Sequence, residues 1–373
     1  MKKKVWFVGM AVAAMTSCTQ SEVLDVPESR LIGFETHVEK QTRAVNDITD
    51  GTEGFQELHV FGAIGTGSGA GFTVVNNKYI DHAIVKGGKG QWTYSPHASW
   101  VKDRTFRFAA YANGLATGDG AARIPETDDT DYVAEGTYVQ FVPHETVGTE
   151  TKWGLNINNY TVGDDDLIVA VPEEKVVTNL TTAPASVGLT FKHVLAKVIF
   201  QFRYTANTQN SNLHLDIAPF TVNAYRTGDC QLRFTGVEDN TRIGAVWTPE
   251  GALSPYVFFP QKAGGENQTW KSGNIQSEYY VIPQPNAGLT VPEITIDSYD
   301  GTVVTATTKF TNVSLRIADH ENWLPGYVYR YIADITPGQH YIHFTTSVTS
   351  WIDEDNRNQT ITNGPQTGGT PNP

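Results

Sequence analysis

Short strand-like segments recur through almost the whole chain and leave little room for any fold but a β fold. In "RLIGFETHVEK" the residues Ile32, Phe34, Thr36 and Val38 share one face. The segments "LHVFGAIG", "FTVVNNKYI", "RTFRFAAYAN", "GTYVQFVP" and "DDLIVAVP" follow, each short, rich in β-branched or aromatic residues, and bounded by Gly, Pro, Asn or Asp. Successive side chains of a strand point to opposite sides, so the pattern predicts an all-β protein built of sandwiches. A second set of such segments, from "LHLDIAPFTVNAY" to "HYIHFTTSVTSW", lies beyond the polar run "TANTQNSN", residues 205–212, which reads as a linker. The one helical hint is "VGLTFKHVLAKVIFQFRY": Phe191, Val194, Leu195 and Val198 recur at helical intervals before Val198, Phe200, Phe202 and Tyr204 alternate. It predicts a short turn of helix feeding a long strand. The final "NGPQTGGTPNP" has no core-forming pattern and is expected to be extended or disordered.

The opening "MKKKVWFVGMAVAAMTSC" has three lysines, an apolar run from Val5 to Met15, and small residues before a cysteine. That run is too short to span a bilayer as a stable helix and has the form of a bacterial export signal. Met15, Thr16 and Ser17 before Cys18 form a lipoprotein cleavage box in which methionine replaces the more usual leucine. Residues 1–17 are therefore expected to be removed and Cys18 to carry the acyl chains. Lys+Arg 27 against Asp+Glu 40 gives a net charge of −13, and an acidic surface argues against a nucleic-acid partner. With no second long apolar run, contact with the outer membrane is expected through the lipid alone. The second of the two cysteines, Cys230, then has no intramolecular partner. In "RTGDCQLRF" it alternates with Leu232 and Phe234 and is expected on a buried strand face.

Little chemistry rises above background. Ten histidines are scattered without metal spacing, and the cysteines form no CxxC pair, so neither metal nor cofactor is expected. "GTGSGAG", residues 65–71, lacks the Lys-Ser/Thr and the helix of a phosphate loop and reads as a hairpin loop. The acidic runs at Asp164, Asp165 and Asp166 and at residues 353–356 lack the alternating ligands of a calcium loop and read as solvated turns. His193, among apolar neighbours, reads as a partly buried, hydrogen-bonded residue rather than a catalytic base, and no enzyme is expected.

Taken in order, "LIGFET", "EKQTRA", "FQELHVFGAIG", "GQWTYSPHASWVKDRTFRFAAYAN", "DDLIVAV", "VGLTFKHVLAKVIFQFR", "VIPQ", "LPGYVYRYIADITPG" and "VTSWIDE" make a series that resembles the fimbrillin family of Bacteroidales over nearly all of the chain beyond the signal. The resemblance implies a type V pilus subunit: a surface lipoprotein of two tandem transthyretin-like β-sandwiches, assembled after an arginine-specific protease removes an N-terminal segment. Arg43 in "QTRA" matches the cleavage position, with Ala44 as the new first residue. The expected organisation is a leader strand at 18–43, sandwiches at 44–207 and 208–350, and a polar tail at 351–373.

A terminal strand whose removal bares an apolar groove is a switch for polymerisation, because an unpaired edge recruits a donor strand. Ile32, Phe34, Thr36 and Val38 would fill the groove until cleavage after Arg43, and a Thr-, Asn-, Asp- and Gly-containing connection leads from there to the first permanent strand near Leu58. Candidates for the donated region are Ile342, Phe344, Val348, Trp351 and Ile361; beyond Ile361 the apolar alternation of a good donor is missing. Expected partners are other pilus subunits, the maturation protease, and a host glycan or protein. The rival expectation is a surface lipoprotein that binds glycans without polymerising, through Trp92, Trp100 or Trp247.

Overall fold

The computed structural model describes residues 30–38, 57–88, 91–113, 138–147, 149–204, 212–234, 243–286, 288–317, 321–335, 344–350 and 360–361. The strands through residue 204 are β1 (Gly33–Val38), β2 (Glu57–Thr66), β3 (Thr73–Gly88), β4 (Gln91–Thr93), β5 (Arg104–Asn113), β6 (Tyr138–Val147), β7 (Glu150–Thr161), β8 (Leu167–Ala170), β9 (Lys175–Val177), β10 (Ser186–His193) and β11 (Ala196–Tyr204). The later ones are β12 (Leu213–Ile217), β13 (Phe220–Ala224), β14 (Thr227–Phe234), β15 (Ile243–Glu250), β16 (Ser254–Phe258), β17 (Gln268–Trp270), β18 (Gly273–Val281), β19 (Gln284–Pro285), β20 (Thr290–Asp300), β21 (Val303–Ser314), β22 (Asn322–Trp323), β23 (Tyr327–Ile335), β24 (Phe344–Ser350) and β25 (Thr360–Ile361). Among the described residues helical content is confined to 3-10 turns such as Gly69–Gly71 and Leu180–Thr182, and the fold is all-β as the strand-like sequence requires.

The first sheet runs β1-β10-β8-β5-β2-β3-β4, with β9 also on β5. Both of its faces are covered. On β5 Phe106, Phe108 and Ala110 join a core they share with Leu58, Val60 and Trp100, whereas Ala109 and Tyr111 face a larger core that continues into the rest of the molecule. That is why β5 is buried along nearly its whole length rather than at alternate residues.

The larger core is fed by several sheets. One has the order β18-β11-β23-β24-β25, and others have β17-β12-β20-β21 and β15-β14-β7-β6. Sheets thus draw on residues from both sides of position 207: β11 lies between β18 and β23, and β7 pairs with β14. Residues 205–211 of the expected linker lie outside the described residues.

The turn of helix expected around residues 191–198 is absent. β10 ends at His193 and β11 begins at Ala196, and Val194 and Leu195 form the break. The helix-like spacing arose because burial continues without a gap from His193 through the break into β11, which opens with five consecutive buried residues, and such a short continuous run fits a helix and a fully buried strand equally well. Lys197 is among the five; its ammonium lies 3.2 Å from the Glu278 carboxylate and over the Tyr280 ring, so the charge is buried with partners.

Candidate functional site: the strand that closes the first sheet

Of all the segments singled out in the sequence, the alternating one at residues 32–38 has the most unusual setting. It forms β1, yet β1 does not pair with β2, its successor in the chain. It runs parallel to β10 in the register Gly33↔Ser186 to Val38↔Phe191, about 150 residues away in sequence. β8 takes up the far edge of β10 only at Lys192 and His193, so β1 is the sheet partner of the first part of that strand. A parallel neighbour needs a long connection in any case, and here residues 39–56, including Arg43 and Ala44, lie outside the described residues.

The other edge of β1 is engaged too, one step earlier along the strand. Leu31 bridges antiparallel to Ser99, the Ile32 amide donates to the Ala98 carbonyl at 2.9 Å, and the Trp100 amide donates to the Arg30 carbonyl at 2.7 Å. Two aromatic side chains add polar contacts. The Tyr94 hydroxyl donates to the Ile32 carbonyl at 3.0 Å and accepts from the Ala98 amide at 3.1 Å. The Trp92 indole N–H donates to the Thr36 hydroxyl at 3.0 Å. β1 is therefore a stave held between β10 and the segment at residues 92–100.

Ile32 and Phe34 are buried, and Phe34 meets the rings of Tyr94 at 5.4 Å and Phe108 at 6.1 Å. Burying two such side chains contributes about 3–6 kcal/mol, comparable with the backbone bonds of the strand at about 1 kcal/mol each. Thr36 is only partly buried and faces Trp92, and the side chain of Val38 lies outside the described residues. Gly33 has no room for a side chain: a Cβ there would come 2.9 Å from the Ala185 carbonyl oxygen. Burial pushes the Tyr94 pKa up to about 12, against the lowering effect of the Ala98 hydrogen bond and with help from neighbouring Tyr79. Tyr79 in turn donates to the Ser99 carbonyl, fixing the same segment from behind.

Sequence reading missed Tyr94, Gly33 and the backbone of residues 98–100 as parts of this site. The signal was present in "WTYSPHASW", an aromatic-rich stretch with proline and no alternation, but nothing local says which strand it meets.

Other expected residues fall as follows. Phe344 and Val348 are buried in β24, and Phe344 packs on Phe200 and Phe202 at 6.0 Å each. They are core residues of their own sheet. Ile361 pairs with Thr346 through β25, and Ile342, Trp351 and Cys18 lie outside the described residues. Trp100 is buried against Phe106 and Phe108, Trp92 packs on the same core, and Trp247 donates to the Val194 carbonyl beside Tyr160. Trp100 is enclosed, whereas Trp92 and Trp247 are partly buried.

Cys230 is fully buried on β14 between Ile157 and Trp247, and burial raises its thiol pKa. His193 is fully packed rather than partly so, with Nδ1 2.7 Å from Asp166, and Asp166 is thus a buried partner rather than a solvated turn residue. The glycine loop at 65–71 is a clamped hairpin: Arg107 binds Glu174 and the Gly69 carbonyl, and Glu174 accepts from the Gly69 amide. Among the described residues no three His, Cys, Asp or Glu side chains gather as a metal site.

Comparison with known proteins agrees with this architecture. A fimbrial protein from Bacteroides vulgatus superposes with a TM-score of 0.52 at 14% identity, covering 86% of this chain and 99% of that one. The fimbrial anchor protein Mfa2 from Porphyromonas gingivalis aligns at 9% identity and a TM-score of 0.32 over 86% of this chain and 98% of its own. At such identities the first likeness speaks to the fold alone. No curated protein matches by sequence. The family model described as Fimbrillin-like matches residues 42–351, most of the length, and the chain belongs to the fimbrillin-like family.

Proposed function

We propose that this chain is a structural or adhesive subunit of a cell-surface pilus, exported as a lipoprotein acylated at Cys18, cut after Arg43, and assembled by strand exchange at the place β1 holds. The observation that carries the proposal is the setting of β1. It covers an apolar core, pairs along one edge with β10, follows residues 30–32 that are bonded to the backbone of 98–100, and leads into β2 without pairing to it. A single cut between the two strands would turn an intramolecular contact into one that can dissociate. The vacated edge of β10 and the bared Phe108 and Trp100 would then be a strand-accepting groove. The family match supports the same reading, since it begins at residue 42 and leaves β1 outside it. Two or three acyl chains at Cys18 would hold the subunit to the outer membrane, at about 0.8 kcal/mol per buried methylene.

The test is the mass and N-terminal sequence of protein extracted from the cell surface. Wild type in assembled fibres should begin at Ala44. Arg43→Ala should keep its leader and stay unassembled, and Cys18→Ala should leave the membrane fraction. Assembled protein that still begins at Cys18 would contradict the proposal.

A further inference from the structure

We infer that the groove under β1 selects its occupant by a short residue code: a bulky apolar side chain, then glycine, then an aromatic or bulky apolar side chain, and two residues later a hydroxyl. The strand carrying the code runs parallel to β10. The inference rests on the reading that β1 is exchangeable, and it names the partner: a strand of that pattern supplied by another protein, not by residues 353–373 of a second copy.

Each position of the code has a physical cause on the groove side. The two apolar positions are those of Ile32 and Phe34, whose side chains reach the core lined by Tyr94, Trp100 and Phe108. Glycine between them is required because the strand passes so close to Ala185 that any Cβ would lie 2.9 Å from its carbonyl oxygen, and backbone cannot swing aside as a flexible side chain can. The hydroxyl position is that of Thr36, which accepts from the Trp92 indole. Indole N–H is a donor with no acceptor capacity, so an apolar residue there leaves it without this partner. The Tyr94 hydroxyl meets a main-chain carbonyl, so that hydrogen bond fixes depth and direction, not sequence.

Residues 353–373 fail the code. Their one large apolar side chain is Ile361, so no two apolar residues stand at the i and i+2 positions, and prolines at 365, 371 and 373 remove main-chain donors. A copy of that stretch could fill neither core position together with the other.

The experiment uses full-length protein carrying Arg30→Lys, so that the strand itself is not cut, nicked at Arg43 by an arginine-specific protease that is then quenched. A fluorescent peptide of residues 29–39 is added and its uptake followed by polarisation. Wild-type peptide should enter. Gly33→Val should weaken uptake by more than about 100-fold, and Thr36→Val by about tenfold, the scale of one hydrogen bond to a partly buried donor. A peptide of residues 353–373 should not enter. With Trp92→Phe in the protein, the wild-type and Thr36→Val peptides should bind alike. Equal uptake of all peptides would overturn the code while leaving strand exchange intact. Failure of the wild-type peptide would instead overturn the exchange itself. In the intact chain, Gly33→Val should raise the hydrogen-exchange rate of β1 amides by a similar factor with no cleavage; an unchanged rate would overturn the code independently.

Discussion

β1 and β24 are the first and the last substantial strands described, and their sequences promise the same thing. Each is a short alternating segment near a chain end with aromatic and branched residues on one face. Their settings differ. β24 lies antiparallel on β23, from Tyr327↔Ser350 to Ala333↔Phe344, a neighbour only a short connection away in sequence. Phe344 stands in an aromatic group with Phe200, Phe202 and Tyr331 in the larger core. β1 pairs parallel with a strand far along the chain, and Ile32 and Phe34 enter the smaller core. Amphipathic pattern therefore shows that a strand buries a face, but whether it is a permanent part of the fold depends on its neighbours.

The contrast can be broken by substitution, starting with the largest effect. Phe344→Ala removes a ring from the continuous core and should lower global stability by about 3–5 kcal/mol, read as a fall in the urea midpoint of the whole protein. Phe34→Ala removes a ring of the same size, and the loss of up to about 3 kcal/mol should fall on β1 docking. Exchange of β1 amides should accelerate while the midpoint of the remaining sheets stays near that of wild type. Equal shifts in the global midpoint for both variants would erase the distinction between the strands.

Tyr94 sharpens the comparison through pH. Its folded pKa of about 12 lies above the ordinary tyrosine value of 10.0, because burial disfavours the phenolate. Its contribution to holding β1 is thus full below pH 10 and is lost as pH rises through about 12, where the hydroxyl no longer donates to Ile32. Two pKa units correspond to at most about 3 kcal/mol. In Tyr94→Phe the docking of β1 should be weaker at neutral pH by about 1–2 kcal/mol and should lose this step between pH 10 and 12. β24 has no such contact, so its exchange in the two proteins should change with pH in the same way.

The smallest effect is expected at Cys230. As a buried, small apolar residue with a raised thiol pKa, it should tolerate Cys230→Val with about 1 kcal/mol or less. It should also stay unmodified by a bulky thiol reagent in the folded protein. Rapid labelling, or a Cys230-linked dimer, would show that β14 is not packed as described.

Much of this could be read from the chain. Alternation located β1 and β24, short β-branched and aromatic runs bounded by turn residues located β2, β5 and β8, and the alternation of Cys230 with Leu232 and Phe234 gave its burial. Two kinds of information were not local. The first is which strand a segment pairs with: nothing in "LIGFET" names Ser186 or Ala98, and the roles of Gly33 and Trp92 exist only once those neighbours are in place. The second is two-sided burial. The break at Val194 and Leu195 and the first residues of β11 are buried on every side and so lose the period of two that marks a half-buried strand, which is how a helical turn was expected there.

The central claim is that β1, unlike β24, is a separable strand, and hydrogen exchange on the purified protein before and after cutting at Arg43 tests it most directly. Before cutting, amides of residues 33–38, 186–190 and 344–350 should all be protected. After cutting, residues 33–38 should leave with the released fragment, residues 186–190 should lose protection as the edge of β10 opens, and residues 344–350 should stay as they were. Retained protection at 186–190 after the cut, or a loss at 344–350 that matches it, would contradict the claim.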